Sequence, residues 1–320
     1  MTLLTLDVVL FFYRPLIPSY AKPVIFSLEP GTPFQRVAYQ LKEQKLISRP
    51  WYWMAAVVLE KNVYHLKAGD YEITPGLTPL GLLDKMARGK VVLYAVTIPE
   101  GWTFEQMVDR IGRDPYLKHT LAMVPADQIM GRLGFLGVAE GHFFPSTYFF
   151  GRWTPDQLVF KKAHQTMSSR LQKEWDARDP AIPFKTAEEA LIVASLIEKE
   201  AARDDERAII AGVIVNRLHK KMLLQIDASV IYGLKGQYHG HLTKMDLHID
   251  TPYNTYLHKG LPPTAICLPG QASLHAAMHP QKTSALFYVA RGDGSHQFSD
   301  TMQQHSRAVE KYIKNRDSFA

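Results

Sequence analysis

The sequence predicts an α+β protein in which a small N-terminal module precedes a larger mixed α/β domain built around one central helix. Three observations lead to this prediction. Short strand-like runs alternate with amphipathic helical stretches in the N-terminal third of the chain. Residues 187–202 are rich in Ala, Leu and Glu and contain neither Gly nor Pro, which is typical of a helix. The 320 residues, 46% hydrophobic and 21% charged, provide enough apolar material for one large or two modest cores.

The first segment, residues 1–24, is apolar and precedes the module. Its run Leu3–Tyr13 is interrupted by Asp7 and followed by Arg14 and Pro15. A full membrane span needs about 20 apolar residues, and this run is shorter. Three interpretations stay open at this point: the end of a truncated membrane anchor, a strand, and a buried helix.

The N-terminal module, residues 25–94, is predicted from the order of its elements. We expect strand, helix, helix and strand at 24–28, 33–42, 49–59 and 66–74. Thr32 is the expected N-cap of the first helix, because Pro33 suits the first helical position. In order and spacing the module resembles a small LysM-like glycan-binding module.

Three aromatic residues begin the second helix of the module. The side chains of Trp51, Tyr52 and Trp53 are of the kind that stacks on sugars. Large aromatics at helical spacing more often build the interior, so we expect most of them to lie in the core.

The larger domain is predicted to cover residues 95–320. It opens with a helix capped by Thr103, with Gln106 three residues on as the partner of a capping box. The loop 140–148 carries a carboxylate, a Gly and a Pro among aromatics, and is a plausible wall for a sugar-binding cleft. Further helices are expected at 154–177, 187–202, 206–219 and 272–279 and from 302, with a buried strand at 285–290.

The central helix, 187–202, carries the most informative side chain. Thr186 is a good N-cap, and Glu189 completes the pattern of a capping box. Glu200 follows Val193, Leu196 and Ile197 on one apolar face at intervals of seven, four and three residues. A lone carboxylate on such a face is costly unless it has a partner or a task. Burial raises the pKa of a carboxyl, as a general acid needs, but pairing with an arginine is the competing structural interpretation.

The neighbouring Glu198 points to the opposite side of the helix from Glu200. We expect it to be a solvated or salt-bridging residue rather than a catalytic one.

The composition of the chain limits which partners and which metal sites can be expected. A net charge of +6 and a pI near 9.1 favour an anionic neighbour such as nucleic acid, an acidic membrane surface or an anionic glycan. The basic residues are scattered, so nucleic acid receives no specific support. Cys267 is the single cysteine, which excludes an internal disulfide and a thiolate metal cluster. Among the thirteen histidines we find no His-x-x-x-His pair with an accompanying carboxylate, and we predict neither metal nor other cofactor.

Taken together, several short motifs resemble the endolytic murein transglycosylase family, membrane-anchored enzymes that cut nascent peptidoglycan. The match in order and spacing covers about residues 25–315. It departs from the family in the short N-terminal run and at Ala228-Ser229. The motifs are Glu140-Gly-His-Phe-Phe-Pro145, Ala194-Ser-Leu-Ile-Glu-Lys-Glu200, Asn216-Arg217, Leu224-Gln-Ile-Asp227, Ile231-Tyr-Gly233, Tyr253-Asn-Thr-Tyr256, Gly260-Leu-Pro-Pro263 and His279-Pro280.

The resemblance implies a peptidoglycan lytic transglycosylase, a carbon–oxygen lyase with Glu200 as catalytic acid/base. Such an enzyme cleaves between MurNAc and GlcNAc, leaves 1,6-anhydro-MurNAc ends and terminates strand elongation. The resemblance also implies a single-pass inner-membrane protein with a periplasmic catalytic domain, and suggests peptidoglycan synthases as partners. The polar side chains expected to hold the glycan strand are Glu140, Gln225, Asp227, Tyr253 and Asn254.

Two roles stay open at the residue level. Glu140 could also position Glu200 or stabilise positive charge at C1, and Asp227 could equally be a turn or capping residue. For His279 before Pro280, a structural role is favoured.

The main alternative to an enzyme is a non-catalytic peptidoglycan-binding scaffold at the cell envelope. It would act through the N-terminal module and its aromatics.

Overall fold

The structure, a computed structural model, describes residues 3–60 and 66–314, and these form two compact units. The first unit comprises Met1–Val96, Arg113–Thr120 and Tyr148–Asp156. The second comprises Thr97–Gly112, Leu121–Thr147 and Gln157–Ala320. The predicted module and larger domain are each continuous in sequence, whereas the first unit also takes in two later segments. Residues 315–320 of the predicted larger domain lie outside the described residues.

The N-terminal part of the chain is mixed α/β, as the α+β prediction requires. Its elements are α1 (Leu3–Tyr13), β1 (Val24–Leu28), α2 (Phe34–Glu43), α3 (Pro50–Leu59), β2 (Gly69–Ile73), α4 (Pro79–Arg88) and β3 (Leu93–Thr97).

The two strands of the N-terminal module pair with each other. β1 and β2 are antiparallel, with Phe26 opposite Tyr71, and the helices α2 and α3 lie between them in sequence. Phe26, Tyr71 and Trp53 are fully buried in the core of this unit. Trp51 is 54% exposed, so the expectation that most of the three aromatics build the interior holds fully only for Trp53.

The predicted cap of α2 is wrong by one residue. The N-cap is Pro33 in an extended conformation, and it makes no side-chain capping hydrogen bond. Pro33 therefore lies just outside the helix, and Thr32 is too far from the first turn to cap it.

The N-terminal run Leu3–Tyr13 forms a helix rather than a strand, but it is not the buried helix that the sequence left open, since Leu6, Leu10 and Tyr13 are exposed. Asp7 on this helix accepts a hydrogen bond from Tyr52 (3.0 Å) and pairs with Arg49. The ring of Phe11 packs edge-on against Tyr52, with centroids 5.4 Å apart. Within residues 3–60 and 66–314, no helix combines the length and the apolar character needed to cross a membrane.

The rest of the chain is mainly helical. Its elements are α5 (Phe104–Gly112), α6 (Ile129–Leu133), β4 (Thr147–Gly151), α7 (Asp156–Asp176), α8 (Ala187–Glu200), α9 (Arg207–His219), α10 (Asp227–Leu234), α11 (Gln271–Met278), β5 (Phe287–Ala290), β6 (His296–Ser299) and α12 (Met302–Val309). β4 pairs with β3, and β5 pairs with β6 in an antiparallel hairpin.

The core of the second unit is built around α8, the predicted central helix. Every residue from Ala190 to Ile197 is buried, so the helix is enclosed on all sides rather than on one face. α9 and α11 both pack against it. Thr186 caps it by accepting from the Glu189 amide (3.2 Å), while the Glu189 carboxylate accepts from the Lys185 amide instead of completing a capping box. The full capping box predicted at Thr103 and Gln106 is present.

Candidate active site

Glu200 is the last residue of α8 and lies where the helix leaves the core. Its carboxyl Oε2 accepts a hydrogen bond of 2.8 Å from the hydroxyl of Tyr288, which β5 supplies. The described residues make no hydrogen bond to the other carboxyl oxygen of Glu200. One oxygen of the carboxyl is therefore held in place by Tyr288.

Burial is the main influence on the ionisation of Glu200. Desolvation raises the pKa of its carboxyl above the ordinary value of 4.5, and the negative charge of Asp227 raises it further. The hydrogen bond from Tyr288 and the nearby His296 and Arg217 act in the opposite direction. The net result is a raised pKa, which favours a carboxyl that carries a proton.

The arginine close to Glu200 is occupied by the backbone. Arg217 donates to the carbonyl oxygens of Leu224 and Leu286, each at 2.6 Å, and no salt bridge joins it to Glu200 among the described residues. The competing interpretation, in which Glu200 is locked to an arginine, does not fit this arrangement.

Asp227 begins α10 and is exposed. Its Oδ1 accepts a hydrogen bond of 2.5 Å from Tyr256. Burial raises the pKa of the Tyr256 hydroxyl, with this bond adding to the effect, so Tyr256 stays protonated as a donor. Gln225, two residues earlier, is also exposed and has a left-handed backbone with φ of 50°.

Glu198 is a structural residue. Its carboxylate pairs with Arg207 at 3.2 Å and accepts from the Gly270 amide at 2.9 Å, with its side chain only 5% exposed. Arg207 also donates to Ser273 at 2.6 Å. The expectation of a salt-bridging Glu198 is confirmed, and the alternative of a solvated side chain is wrong because the side chain is buried against Arg207 and the Gly270 amide.

Glu140 lies in a loop held against α5 and α10. Its Oε1 accepts from the Phe104 amide at 2.9 Å, and its Oε2 accepts from Tyr232 at 3.1 Å. Burial raises the pKa of Glu140 from 4.5 to about 7, against the effect of these hydrogen bonds. The second unit thus holds two carboxyls, Glu200 and Glu140, whose pKa values burial raises.

An open cavity of about 770 Å³ lies beside Glu140. Its wall includes Phe104, Tyr232, Tyr253 and Lys235 as well as Glu140. The structure therefore brings two of the predicted glycan-binding side chains, Glu140 and Tyr253, to one cavity. Asp227 belongs instead to the surroundings of Glu200.

Tyr253 and Asn254 occupy the same loop in different ways. The ring of Tyr253 packs against Tyr232 with centroids 4.9 Å apart, and its hydroxyl bonds Thr264 at 2.9 Å. Asn254 is 0% exposed. Its amide donates to the carbonyls of Leu247 and Ile249, and its oxygen accepts from the backbone of the same loop, so in this structure the side chain fixes the loop.

Sequence reasoning missed the three tyrosines that bond the site carboxyls. Tyr232 and Tyr256 stand in motifs that were noted without a role, and Tyr288 stands in a strand that was predicted only as buried. Each reaches a carboxyl at least 29 positions away in the chain. Local spacing holds no signal of such a contact.

One further cluster has the side chains that could hold a metal ion. Ligand atoms of Glu174, His275 and His279 all lie within 4.8 Å of one another. The sequence-based prediction of no metal overlooked the His-x-x-x-His spacing of these two histidines. The two histidines were not connected with a carboxylate because Glu174 lies on α7, 101 positions before His275.

Comparisons with known proteins identify the family of the chain. Residues 26–311 match the YceG-like family. An endolytic murein transglycosylase of Bacillus subtilis (strain 168) is 30% identical over 279 residues, which are 80% of this chain and 76% of the relative. The protein of the same name from Streptococcus pneumoniae serotype 2 is 25% identical, and the alignment covers 94% of this chain but only 60% of that protein.

A solved structure extends the likeness to three dimensions. The crystal structure of a yceG-like protein from Listeria monocytogenes is 28% identical, with a TM-score of 0.56. The alignment covers 89% of this chain and 99% of the listerial one. The family match over most of the sequence and the 30% identity of the Bacillus relative lead to one conclusion: this chain belongs to the YceG-like family.

Proposed function

We propose that this protein is an endolytic peptidoglycan lytic transglycosylase. It cleaves nascent glycan strands between MurNAc and GlcNAc, leaves 1,6-anhydro-MurNAc ends and so terminates strand elongation. The observation that carries the proposal is the carboxyl of Glu200 at the end of the central helix: burial raises its pKa, and Tyr288 holds one of its oxygens. The names of the bacillary and streptococcal relatives support it.

In the proposed reaction a single carboxyl acts twice. Protonated Glu200 gives its proton to the oxygen between the two sugars as the bond from C1 to that oxygen breaks. The C6 hydroxyl of the same MurNAc then bonds to C1, and its proton returns to the Glu200 carboxylate. No water is consumed, and the attack is intramolecular, which replaces a bimolecular step by a local one.

The surroundings of Glu200 suit both steps. Desolvation and the negative charge of Asp227 favour the protonated acid at the start. Asp227 also offsets the positive charge that develops at C1 when the bond breaks. Tyr288 stabilises the carboxylate that forms, since its hydroxyl donates to Oε2.

Four of the other predicted residues are proposed to hold the glycan strand directly. Glu140 and Tyr253 line the 770 Å³ cavity, and Gln225 and Asp227 are exposed beside α10. Asn254 supports the same surface from inside by fixing its loop.

The test is muropeptide analysis of purified peptidoglycan digested with the full chain. The wild type should release products with 1,6-anhydro-MurNAc ends, and Glu200→Gln should lower their yield by at least about a thousandfold, since the amide can neither give nor take the proton. Glu189→Gln is the matched control, because it changes a glutamate of the same helix whose oxygen can still accept the Lys185 amide.

Two results would contradict the proposal. Reducing ends derived from water would indicate a hydrolase with two carboxyls, for which Glu140 is the available partner. Unchanged cellular function of Glu200→Gln, together with loss of function on deletion of residues 25–94, would favour the non-catalytic scaffold.

We also propose that the N-terminal module binds glycan in the manner of a LysM-like module. The order strand, helix, helix, strand and the exposed Trp51 support this role. Trp51→Ala should weaken sedimentation with insoluble peptidoglycan, whereas an equal yield in the pellet would contradict it.

The proposed location is the bacterial inner membrane, with the catalytic domain in the periplasm and peptidoglycan synthases as partners. The location is proposed because the proposed substrate, nascent peptidoglycan, lies outside that membrane. Carbonate extraction of the native protein tests it, and release into the soluble fraction would contradict anchoring.

A further inference from the structure

Three side chains that the proposed reaction does not use meet between α7 and the end of α11. Nδ1 of His275 lies 2.9 Å from Oε2 of Glu174, and Nε2 of His279 lies 3.7 Å from the same oxygen. The two imidazole rings face each other with centroids 4.4 Å apart and planes inclined by 30°. Two imidazoles and one carboxylate thus converge on one point.

From this geometry we propose that Glu174, His275 and His279 form a binding site for one Zn²⁺ ion. A tetrahedral zinc with bonds of about 2.0–2.1 Å places neighbouring ligand atoms about 3.3 Å apart. The separations of 2.9 and 3.7 Å lie on either side of that value. The ligand atoms of all three residues lie within 4.8 Å of one another, and rotation of the two imidazoles closes the remaining gap when the ion binds.

A hydrogen bond to its other oxygen fixes the orientation of the Glu174 carboxylate. Oε1 of Glu174 accepts a hydrogen bond of 2.7 Å from Gln271, whose own oxygen accepts from Arg170 at 2.6 Å. These bonds leave Oε2 facing the two histidines. Such outer contacts hold ligating side chains in place and are typical of built metal sites.

The three side chains differ in exposure, which suits a zinc site that is open to solvent on one side. Glu174 is 13% exposed, His279 30% and His275 61%. The cluster is therefore anchored inside and open on the His275 side, where a water molecule completes four-coordination. Two imidazole nitrogens with one carboxylate favour zinc over magnesium and calcium, which take oxygen ligands.

An ion in this place has a structural consequence. It joins α7 to α11, and α11 packs against α8, the helix that ends in Glu200. Because the ion binds only the folded arrangement of the three ligands, zinc raises the melting temperature of the protein.

The experiment uses the full chain stripped of metal with a chelator and dialysed. Calorimetric titration with ZnCl₂ should give one site per chain, titration with CoCl₂ should give the visible absorption of tetrahedral cobalt, and MgCl₂ should give no heat. His275→Ala should raise the zinc Kd at least tenfold and abolish the zinc-dependent rise in melting temperature. His275 is the most exposed of the three ligands, so this variant keeps the fold.

The matched control is His258→Ala. That imidazole also bonds a carboxylate, Asp250 at 2.6 Å, but it belongs to a pair without a third ligand among the described residues. This variant should bind zinc as the wild type does. Absence of a one-to-one site in the wild type, or equal zinc affinity of His275→Ala and the wild type, would show that the cluster is only a hydrogen-bonded ion pair.

Discussion

At the scale of single residues, the two glutamates of the Glu-Lys-Glu motif have opposite surroundings. Glu198 is neutralised by Arg207 and by the Gly270 amide. Glu200 has a tyrosine hydroxyl as its hydrogen-bond partner, and burial raises its pKa. The Glu198 side chain therefore joins α8 to the start of α9 and to the loop before α11, whereas the surroundings of Glu200 disfavour the charged form of its carboxyl.

This contrast predicts opposite effects of the same substitution on stability. Glu198→Gln should lower the free energy of unfolding by about 2 kcal/mol, since loss of one partner of a buried ion pair costs about 3–5 kcal/mol and Arg207 keeps Asp204 and Ser273. Glu200→Gln should leave stability unchanged or raise it at pH 8, because it replaces a carboxyl whose charged form burial disfavours by a neutral amide. Urea denaturation of both variants measures the difference, and a larger loss for Glu200→Gln would contradict the assignment.

Tyr288 tunes the acid that it contacts. Its hydroxyl stabilises the charged form of Glu200, so Tyr288→Phe should raise the pKa of that carboxyl further. A hydrogen bond to a charged group is worth about 1.5–3 kcal/mol, which corresponds to about one to two pH units. The alkaline limb of the rate profile for anhydro-muropeptide release should move upward by that amount, since it reports loss of the proton from the acid.

A purely structural role for Tyr288 would give a different result. The rate would then fall by the same factor at every pH, and the melting temperature would fall with it. A profile that keeps its alkaline limb would show that the hydroxyl does not act on Glu200.

At the scale of elements, the loop that carries Glu140 depends on the residue after it. Gly141 has φ of 84°, and a Cβ there would lie 2.5 Å from Cβ of Ala265 and 3.4 Å from Leu191 on α8. The loop therefore touches the central helix through a position that only glycine fits.

Replacing this glycine should displace the loop. Gly141→Ala should lower the free energy of unfolding by about 3 kcal/mol, of which about 1 kcal/mol is the left-handed backbone and the rest the steric clash. Gly137→Ala is the matched control: Gly137 has φ of 89°, but nothing lies within 4 Å of its Cβ position. Gly137→Ala should lower the free energy of unfolding by only about 1 kcal/mol. Equal losses in chemical denaturation would show that the contact with Ala265 is relieved without cost.

At the scale of the whole molecule, local sequence patterns predicted the elements better than their contacts. The pattern of α8 was recognised because it lacks Gly and Pro, and Glu200 was singled out because it follows an apolar stripe. The same pattern could not show that α8 is buried all round, since its other faces meet α9 and α11, which follow later in the chain. Small residues such as Ala190 and Ala194 on those faces are equally compatible with solvent.

Hydrogen bonds across long sequence distances were beyond this reasoning. Tyr288 is 88 positions from Glu200, and Tyr232 is 92 positions from Glu140. The packing of the chain brings these groups together, and the spacing of residues within a motif does not predict such contacts. The same reason explains why Glu174 was not connected with His275 and His279.

Glu140 couples the stability of the molecule to pH, and the sign of that coupling follows from its pKa. Burial raises this pKa from 4.5 to about 7, so between these values the folded chain holds a proton that the unfolded chain releases. Stability from this group is fully present below pH 4.5 and is lost as the pH rises through about 7. The shift corresponds to about 3 kcal/mol.

Glu140→Gln removes this proton and with it the pH dependence. The free energy of unfolding of the wild type minus that of Glu140→Gln should therefore fall by about 3 kcal/mol between about pH 4 and pH 8.5, measured by urea denaturation. Tyr232→Phe is a second test. The Tyr232 hydroxyl lowers the pKa of Glu140, so without it the loss of stability with rising pH should occur at higher pH. A difference that stays constant with pH would mean that Glu140 has the same pKa in the folded and the unfolded chain, as an exposed carboxyl has.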